Sequence, residues 1–254
     1  MLDQQVVYFP APWEDRNWSE FSGLPLEDVW FRAEDGVRLF GWFLQAPAGG
    51  SNAVLLWAHG NAGNIIGRLE YLAELHRRGL SVFLFDYRGY GRSNGIPSEE
   101  GLYLDVLAAY DHLLNERKIP PARIVAFGRS LGAPVAGELA RLRPVAGLIL
   151  ETPFPSIEAV ARRVFRGLPA HLLLKSRFDL AVRLRDIHVP VLVLHGDRDT
   201  VIPLDLGRAV YEAANEPKEF VVISGADHND TYLVGGETYF QHLLGFVRRV
   251  TQPK

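Results

Sequence analysis

The amino-acid sequence predicts an α/β fold in which a mostly parallel, twisted, doubly wound sheet of about eight strands carries helices on both faces. Six short apolar runs alternate with segments whose apolar residues recur at helical spacing. The runs are almost continuously Val, Ile, Leu and Phe, which is typical of strands buried on both sides. The length of 254 residues suits one such domain, so we expect a single domain over residues 1–254.

The N-terminal part precedes this alternation. Residues 1–25 are rich in Pro, Trp and acidic residues, and we expect them to wrap over the surface. Trp13, Trp18 and Phe21 would cover a sheet edge, and membrane contact is the alternative for these rings. Residues 27–46 predict an antiparallel hairpin, because Asp35-Gly36 is a strong turn signal.

The alternating part then supplies the parallel strands and the helices. Strands are predicted at residues 54–58, 82–86, 124–127, 147–150, 191–195 and 220–223. One helix is marked by Leu69, Leu72 and Leu75, and a second opens at Ser98 with two glutamates in its first turn. An alanine-rich helix follows residue 132, and Tyr239, Leu243, Phe246 and Val250 mark the last helix.

One connection is longer than the others. About forty residues separate the strand ending near 150 from the strand starting near 191, which exceeds a single crossover helix. We interpret residues 155–187 as a small helical cap with seven basic residues, three acidic residues and an apolar patch at Leu168 and residues 172–174. The cap is either a solvated amphipathic lid or a lid that binds acyl chains or weakly contacts an anionic membrane surface.

Composition excludes several classes of protein. The net charge of −3 leaves no basic field for nucleic acid. The absence of cysteine removes disulfides, thiolate metal sites and cysteine nucleophiles. The eight histidines are not spaced as a metal set, and Gly89-Tyr90-Gly91 does not extend to a dinucleotide fingerprint. We therefore expect no cofactor and no metal.

Targeting signals are also absent from the sequence. No apolar run approaches the ~20 residues of a bilayer-spanning helix. Residues 1–10 lack the basic and apolar regions of a signal peptide. We expect a cytoplasmic protein, while an N-terminal anchor or leader removed from the chain stays open, and the oligomeric state is not indicated.

The most informative motif is Gly128-Arg129-Ser130-Leu131-Gly132, which lies directly between a predicted strand and a predicted helix. This is the context of a nucleophile elbow. The flanking glycines leave room for a sharp turn, and the helix start directs backbone N–H groups toward developing negative charge. The motif therefore indicates Ser130 as a nucleophile.

A serine nucleophile needs a base and an orienting acid. His228 lies in the loop after the last predicted strand, where it would reach the carboxyl edge of the sheet. His59 and His195 end strands and also fit by position. Asp197 and Asp199 both follow the preceding strand, so the order Ser, Asp, His expected of this elbow is available with either acid.

Five ordered motifs together resemble the α/β-hydrolase superfamily over nearly the whole chain after residue 27. Within it they resemble the short-cap serine hydrolases related to protein depalmitoylases and other membrane-associated members. The motifs are HGNAGN at residues 59–64, DYRGYGRS at 86–93, GRSLG at 128–132, HGDRDTVIP at 195–203 and DHNDT at 227–231.

This resemblance implies Asp199 as the acid and Asp197 as a turn residue. It also implies an oxyanion hole made by the backbone N–H groups of Asn61 and Leu131. We expect a serine hydrolase that cleaves small-molecule carboxylic esters or thioesters through an acyl-enzyme on Ser130. An amidase or peptidase with the same triad, and a non-catalytic binding protein of this fold, are the alternatives.

Overall fold

The computed structural model describes residues 7–164 and 175–252. The strands are β1 (Leu26–Arg32), β2 (Arg38–Leu44), β3 (Val54–Ala58), β4 (Ser81–Asp86), β5 (Ile124–Arg129), β6 (Gly147–Glu151), β7 (Val191–Gly196) and β8 (Lys218–Ile223). The helices are α1 (Trp18–Ser22), α2 (Leu69–Arg77), α3 (Glu99–Asn115), α4 (Gly132–Leu142), α5 (Ile157–Val164), α6 (Leu180–Arg183), α7 (Leu204–Ala213) and α8 (Thr231–Thr251).

All eight strands form one sheet, in the order β1-β2-β4-β3-β5-β6-β7-β8. Strand β2 is antiparallel to β1 and to β4, and the other neighbours are parallel. Gly36 turns the hairpin between β1 and β2 with a φ of 84°, a backbone conformation that glycine adopts without strain. The expected fold class, with its antiparallel N-terminal hairpin, is confirmed.

Two apolar layers enclose the sheet, because successive side chains of a strand point to opposite faces. In β3, Val54 and Leu56 belong to the layer under α3, α4 and α7, while Leu55 and Trp57 belong to the layer under α2 and α8. Every residue of β3 to β7 is buried. This burial on both faces explains the continuous apolar runs of the sequence.

The aromatic residues of the N-terminal segment divide into two groups. Trp13 and Trp18 pack on the face of β2, where the ring of Trp13 lies 5.2 Å from that of Phe40. Phe21 is 63% exposed and lies against the guanidinium of Arg16 instead. Two of the three rings thus cover the sheet, and the third does not, because it lies on the outer side of α1.

The structure adds helices that the sequence pattern did not indicate, namely α1 and α7. Helix α7 places Leu206 and Val210 against the core between β7 and β8. Of residues 155–187, which we interpret as a cap, the structure describes α5, α6 and the turn after α6, whereas Leu168 and residues 172–174 lie outside the described residues. Within the described ranges, no helix is both long and apolar enough to cross a bilayer.

Candidate active site

Ser130 occupies a sharp turn between β5 and α4. Its φ of 52° lies in the left-handed region, which is rare for a residue with a side chain. A Cβ added at Gly128 would lie 2.3 Å from the carbonyl oxygen of Gly132, and one added at Gly132 would lie 1.9 Å from that of Ala58. Both glycines are therefore required by close backbone approach, and the turn presents the Ser130 hydroxyl at the carboxyl edge of the sheet.

Three side chains that are distant in sequence form one chain of hydrogen bonds. His228 Nε2 lies 3.0 Å from Ser130 Oγ, and His228 Nδ1 lies 2.8 Å from Asp199 Oδ2. Asp199 and His228 are both buried. Because an ionised carboxylate only accepts, Nδ1 carries the proton and donates it to Asp199, which leaves Nε2 as an acceptor facing the serine hydroxyl.

The surroundings of Asp199 keep it ionised. Burial alone would favour the neutral carboxyl, but hydrogen bonds from His195 and His228 outweigh it and hold the pKa of Asp199 well below its usual range. The other carboxylate oxygen accepts the backbone N–H groups of Val201 and Ile202 at 2.9 and 2.7 Å. His195 is fully buried, and its Nε2 lies 2.8 Å from the carbonyl oxygen of Ile202 and 3.4 Å from Asp199 Oδ2, so one N–H faces both acceptors.

Asp197 lies in a different environment. It is exposed and accepts the backbone N–H of Gly225 at 2.7 Å and the hydroxyl of Ser224 at 3.3 Å. These bonds join the loop after β7 to the loop after β8. Of the two aspartates that the strand-end pattern left open, only Asp199 contacts His228.

The two backbone N–H groups expected to form an oxyanion hole lie beside the elbow. Neither the Asn61 nor the Leu131 N–H donates to another group in the described part of the chain. The Gly60 carbonyl accepts from His59 Nδ1 at 2.7 Å and from Arg68 Nη2 at 3.3 Å. Since a trans peptide directs its C=O and N–H to opposite sides, these two donors turn the Asn61 N–H away from them.

His59 supports this loop as an uncharged ring. Burial lowers its pKa to about 3, so the imidazole is neutral near pH 7. The ring packs against Tyr87 and Tyr90, whose ring centroids are 4.4 and 5.6 Å away. The ring of His59 bonds to the Gly60 carbonyl of the loop, whereas the ring that contacts the Ser130 hydroxyl is that of His228.

A buried ion pair behind the elbow was not indicated by the sequence pattern. Arg129 Nη2 donates to the backbone carbonyl of His228 at 2.7 Å, and its Nε lies 3.7 Å from the carboxylate of Glu151. Both residues are buried, and Glu151 also accepts from Thr231 at the start of α8. The available signal was a charged residue at the end of an otherwise apolar strand.

A pocket of about 420 Å³ opens above Ser130 and His228. The apolar side chains of its lining are Val7, Phe9, Ala62, Leu131, Phe154, then Ile157, Val160 and Ala161 of α5, and Val201 and Ile202. The charged residues of the lining are Arg68 and Arg129, and no carboxylate belongs to it among the residues that the structure describes. Nor do the described residues include a group of three or more His, Asp or Glu side chains that could hold a metal ion.

A nucleophile elbow on a sheet of this order is the architecture of α/β hydrolases. The sequence model of the family described as "Serine aminopeptidase, S33" matches residues 49–182. Among curated proteins, the uncharacterized protein Rv2307c of Mycobacterium tuberculosis is 41% identical over 245 residues, which are 96% of this chain and 86% of that protein. The α/β hydrolase domain-containing protein WAV2 of Arabidopsis thaliana is 35% identical, over 90% of this chain and 80% of that protein.

Solved structures agree on the fold. The Pyrococcus furiosus esterase Pf2001 superposes with a TM-score of 0.77 at 24% identity, covering 96% of this chain and 98% of that one. An α/β hydrolase from Vibrio vulnificus superposes with a TM-score of 0.76 at 22% identity, covering 92% and 87%. The chain belongs to the α/β-hydrolase superfamily, in the family of that sequence model, and is a hydrolase.

Proposed function

We propose that this protein is a serine hydrolase that cleaves carboxylic esters or thioesters. The observation that carries the proposal is the unbroken chain from Ser130 Oγ through His228 to Asp199, placed at the floor of an apolar pocket. The proposal is also supported by Asn61 and Leu131, which line the same pocket and whose backbone N–H groups have no other partner in the described chain.

In the first half of the reaction, Ser130 Oγ attacks the acyl carbon while His228 Nε2 takes the hydroxyl proton. Asp199 stabilises the imidazolium that forms. The oxyanion accepts hydrogen bonds from the Asn61 and Leu131 N–H groups, a contribution of about 3 kcal/mol for each donor in comparable sites. His228 then gives the proton to the departing alcohol or thiol, and an acyl-enzyme remains.

In the second half, water replaces the leaving group. His228 accepts a proton from the water molecule, whose oxygen attacks the acyl carbon, and the same two N–H groups stabilise the second oxyanion. Collapse releases the carboxylic acid and returns the proton to Ser130. Every transfer uses groups of this chain and water.

The pocket lining supports an acyl group rather than the N-terminus of a peptide. A free α-ammonium requires a carboxylate partner when it is taken out of water. The described lining contributes two arginines and no carboxylate, so it offers this group no anionic partner, although the matching family is described as a serine aminopeptidase. Its Val, Ile, Leu and Phe side chains suit a hydrocarbon chain instead.

The test is covalent labelling by a fluorophosphonate probe, together with turnover of p-nitrophenyl esters, matched thioesters and aminoacyl p-nitroanilides. We expect the probe to label Ser130 and esters or thioesters to be cleaved. Ser130→Ala will abolish both, while Ser224→Ala, at an exposed serine outside the pocket, will leave both unchanged. Folded protein that takes no label would indicate the non-catalytic alternative, and faster cleavage of the anilides would indicate a peptidase.

A further inference from the structure

Residues 7–12, which we call the strap, run across the carboxyl edge of the sheet. The strap pairs with the loop after β3: the Gly63 N–H donates to the Phe9 carbonyl, and the Ala11 N–H donates to the Gly63 carbonyl, both at 3.0 Å. A second bridge joins Pro12 to Gly91 in the loop after β4. The strap is therefore attached to the loops that surround the site.

The side chain of Asn61 is the main anchor of the strap. Its Nδ2 donates to the Val7 carbonyl at 2.5 Å, and its Oδ1 accepts the Phe9 N–H at 3.1 Å. Tyr90 donates to the same oxygen at 2.8 Å. The residue whose backbone N–H we assign to the oxyanion hole thus holds the strap with its side chain.

Successive residues of the strap face different surroundings, as in any extended segment. Val7 and Phe9 line the pocket that contains Ser130 and His228. Tyr8 between them is buried, with its hydroxyl 3.1 Å from Ser176 Oγ and its ring edge-on to Phe178. The strap therefore lies between the oxyanion loop and the part of the cap that returns to the sheet.

Like Val201, Phe9 is a large apolar residue of the pocket lining that is exposed. It is 53% exposed, although its neighbours Val7 and Tyr8 are buried. An aromatic ring left half in water at the mouth of an apolar pocket offers surface that a bound chain would cover. Its backbone N–H and carbonyl make the bonds that dock the strap, so its side chain is free for another role.

We propose that the strap is a wall of the acyl-binding site and that Phe9 contacts the acyl chain and sets the preference for chain length. The inference rests on the proposed hydrolysis at Ser130 and adds a substrate class, acyl groups long enough to reach the ring. Because Ser130 and Phe9 line the same pocket, we expect an octanoyl group bound at Ser130 to reach this ring and an acetyl group to leave it uncovered.

The first experiment compares kcat/KM for p-nitrophenyl octanoate and p-nitrophenyl acetate. Covering the exposed half of a Phe side chain is worth about a 4- to 12-fold change in this ratio. We expect Phe9→Ala to lower the octanoate-to-acetate ratio by that factor and Phe9→Leu to restore most of the ratio. Phe21→Ala, at an exposed ring outside the pocket, is the matched control and will leave the ratio unchanged.

The second experiment reads contact with the chain directly and does not depend on turnover. Because the chain contains no cysteine, Phe9→Cys carries one thiol whose rate of alkylation can be measured alone. We expect an octyl fluorophosphonate bound to Ser130 to slow this alkylation at least about tenfold relative to a methyl analogue. The rate for Phe21→Cys will be the same with both.

The outcomes separate the two proposals. If neither fluorophosphonate labels Ser130 in the folded protein, the hydrolase mechanism itself is overturned. Labelling of Ser130 without protection of Phe9→Cys, or an unchanged ester ratio in Phe9→Ala, would overturn the role of the strap and leave the mechanism standing. An octanoate-to-acetate ratio that falls equally in Phe21→Ala would show a general effect of N-terminal substitutions and would also overturn the role of the strap.

Discussion

Replacing Asp199 with asparagine tests the hydrogen-bond chain at the end remote from Ser130. In the native protein, one carboxylate oxygen accepts the backbone N–H groups of Val201 and Ile202, and the other accepts from His228 Nδ1. The asparagine carbonyl oxygen will keep the two backbone bonds. Its NH₂ group will then face His228, where a donor meets a donor.

The imidazole resolves this conflict by changing its tautomer. Nδ1 becomes the acceptor for the amide, and Nε2, which is 3.0 Å from Ser130 Oγ, carries the proton. A protonated Nε2 cannot accept the serine proton, so the base is lost while the geometry is kept. The corresponding change in serine proteases lowers kcat about 10⁴-fold, which equals about 5.5 kcal/mol of transition-state stabilisation.

The assay is kcat for p-nitrophenyl butyrate near pH 7, with far-UV circular dichroism to verify the fold. Asp197→Asn is the matched control, because Asp197 follows the same strand while its carboxylate accepts from Gly225 and Ser224. We expect the control to keep kcat within about threefold, since surface substitutions away from the site have small effects. Intact turnover in Asp199→Asn, or loss of turnover in Asp197→Asn instead, would refute the reasoning.

Three further predictions concern the elbow, the hydrogen bond from Arg129 to the His228 carbonyl, and the buried carboxyl of Asp86. Gly132→Ala will lower the unfolding free energy by about 3 kcal/mol in urea, because its Cβ would lie 1.9 Å from a backbone oxygen. Gly67→Ala will change the unfolding free energy little, because a Cβ at this position would have open space around it. Arg129→Met will lower kcat about tenfold with KM nearly constant, since the carbonyl of His228 loses a charged donor. An unchanged kcat would contradict a role of this hydrogen bond in holding His228. Burial raises the pKa of Asp86 to about 7, so the native state holds a proton that the unfolded chain releases above about pH 4. The wild type will therefore lose stability relative to Asp86→Asn as the pH rises from about 4 to about 7, and a difference that is equal at pH 5 and pH 8 would contradict this.

Much of the fold could be predicted because its determinants are local. Strands β3 to β7 are buried on both faces, so their sequences are continuously apolar, and the hairpin carries its own turn at Gly36. Helix α7 escaped prediction because it buries only a narrow stripe, with Leu206 and Val210 separated by polar and small residues.

The candidate site was likewise predictable from the sequence only in part. Ser130 was indicated by the sequence, because the steric demands of a sharp turn act on its immediate neighbours, Gly128 and Gly132. The choice between Asp197 and Asp199 was not decided by the residues themselves. The two aspartates are two residues apart, which is one full period of an extended chain, so the sequence pattern treats them alike. Their partners distinguish them: Asp197 accepts from Gly225 and Asp199 from His228.

The sequence by itself determined the α/β class, the succession of the strands along the chain and the serine at the elbow, because burial and backbone sterics depend on neighbouring residues. Only the tertiary structure decided which acid contacts His228. It also decided that Arg129 bonds to a carbonyl 99 residues away, and that the Phe9 N–H bonds to the side chain of Asn61, 52 residues along the chain, which holds Phe9 at the pocket. Such contacts depend on how the sheet orders its strands. They leave no periodic signal, since a single hydrogen bond places no demand on the residues next to it.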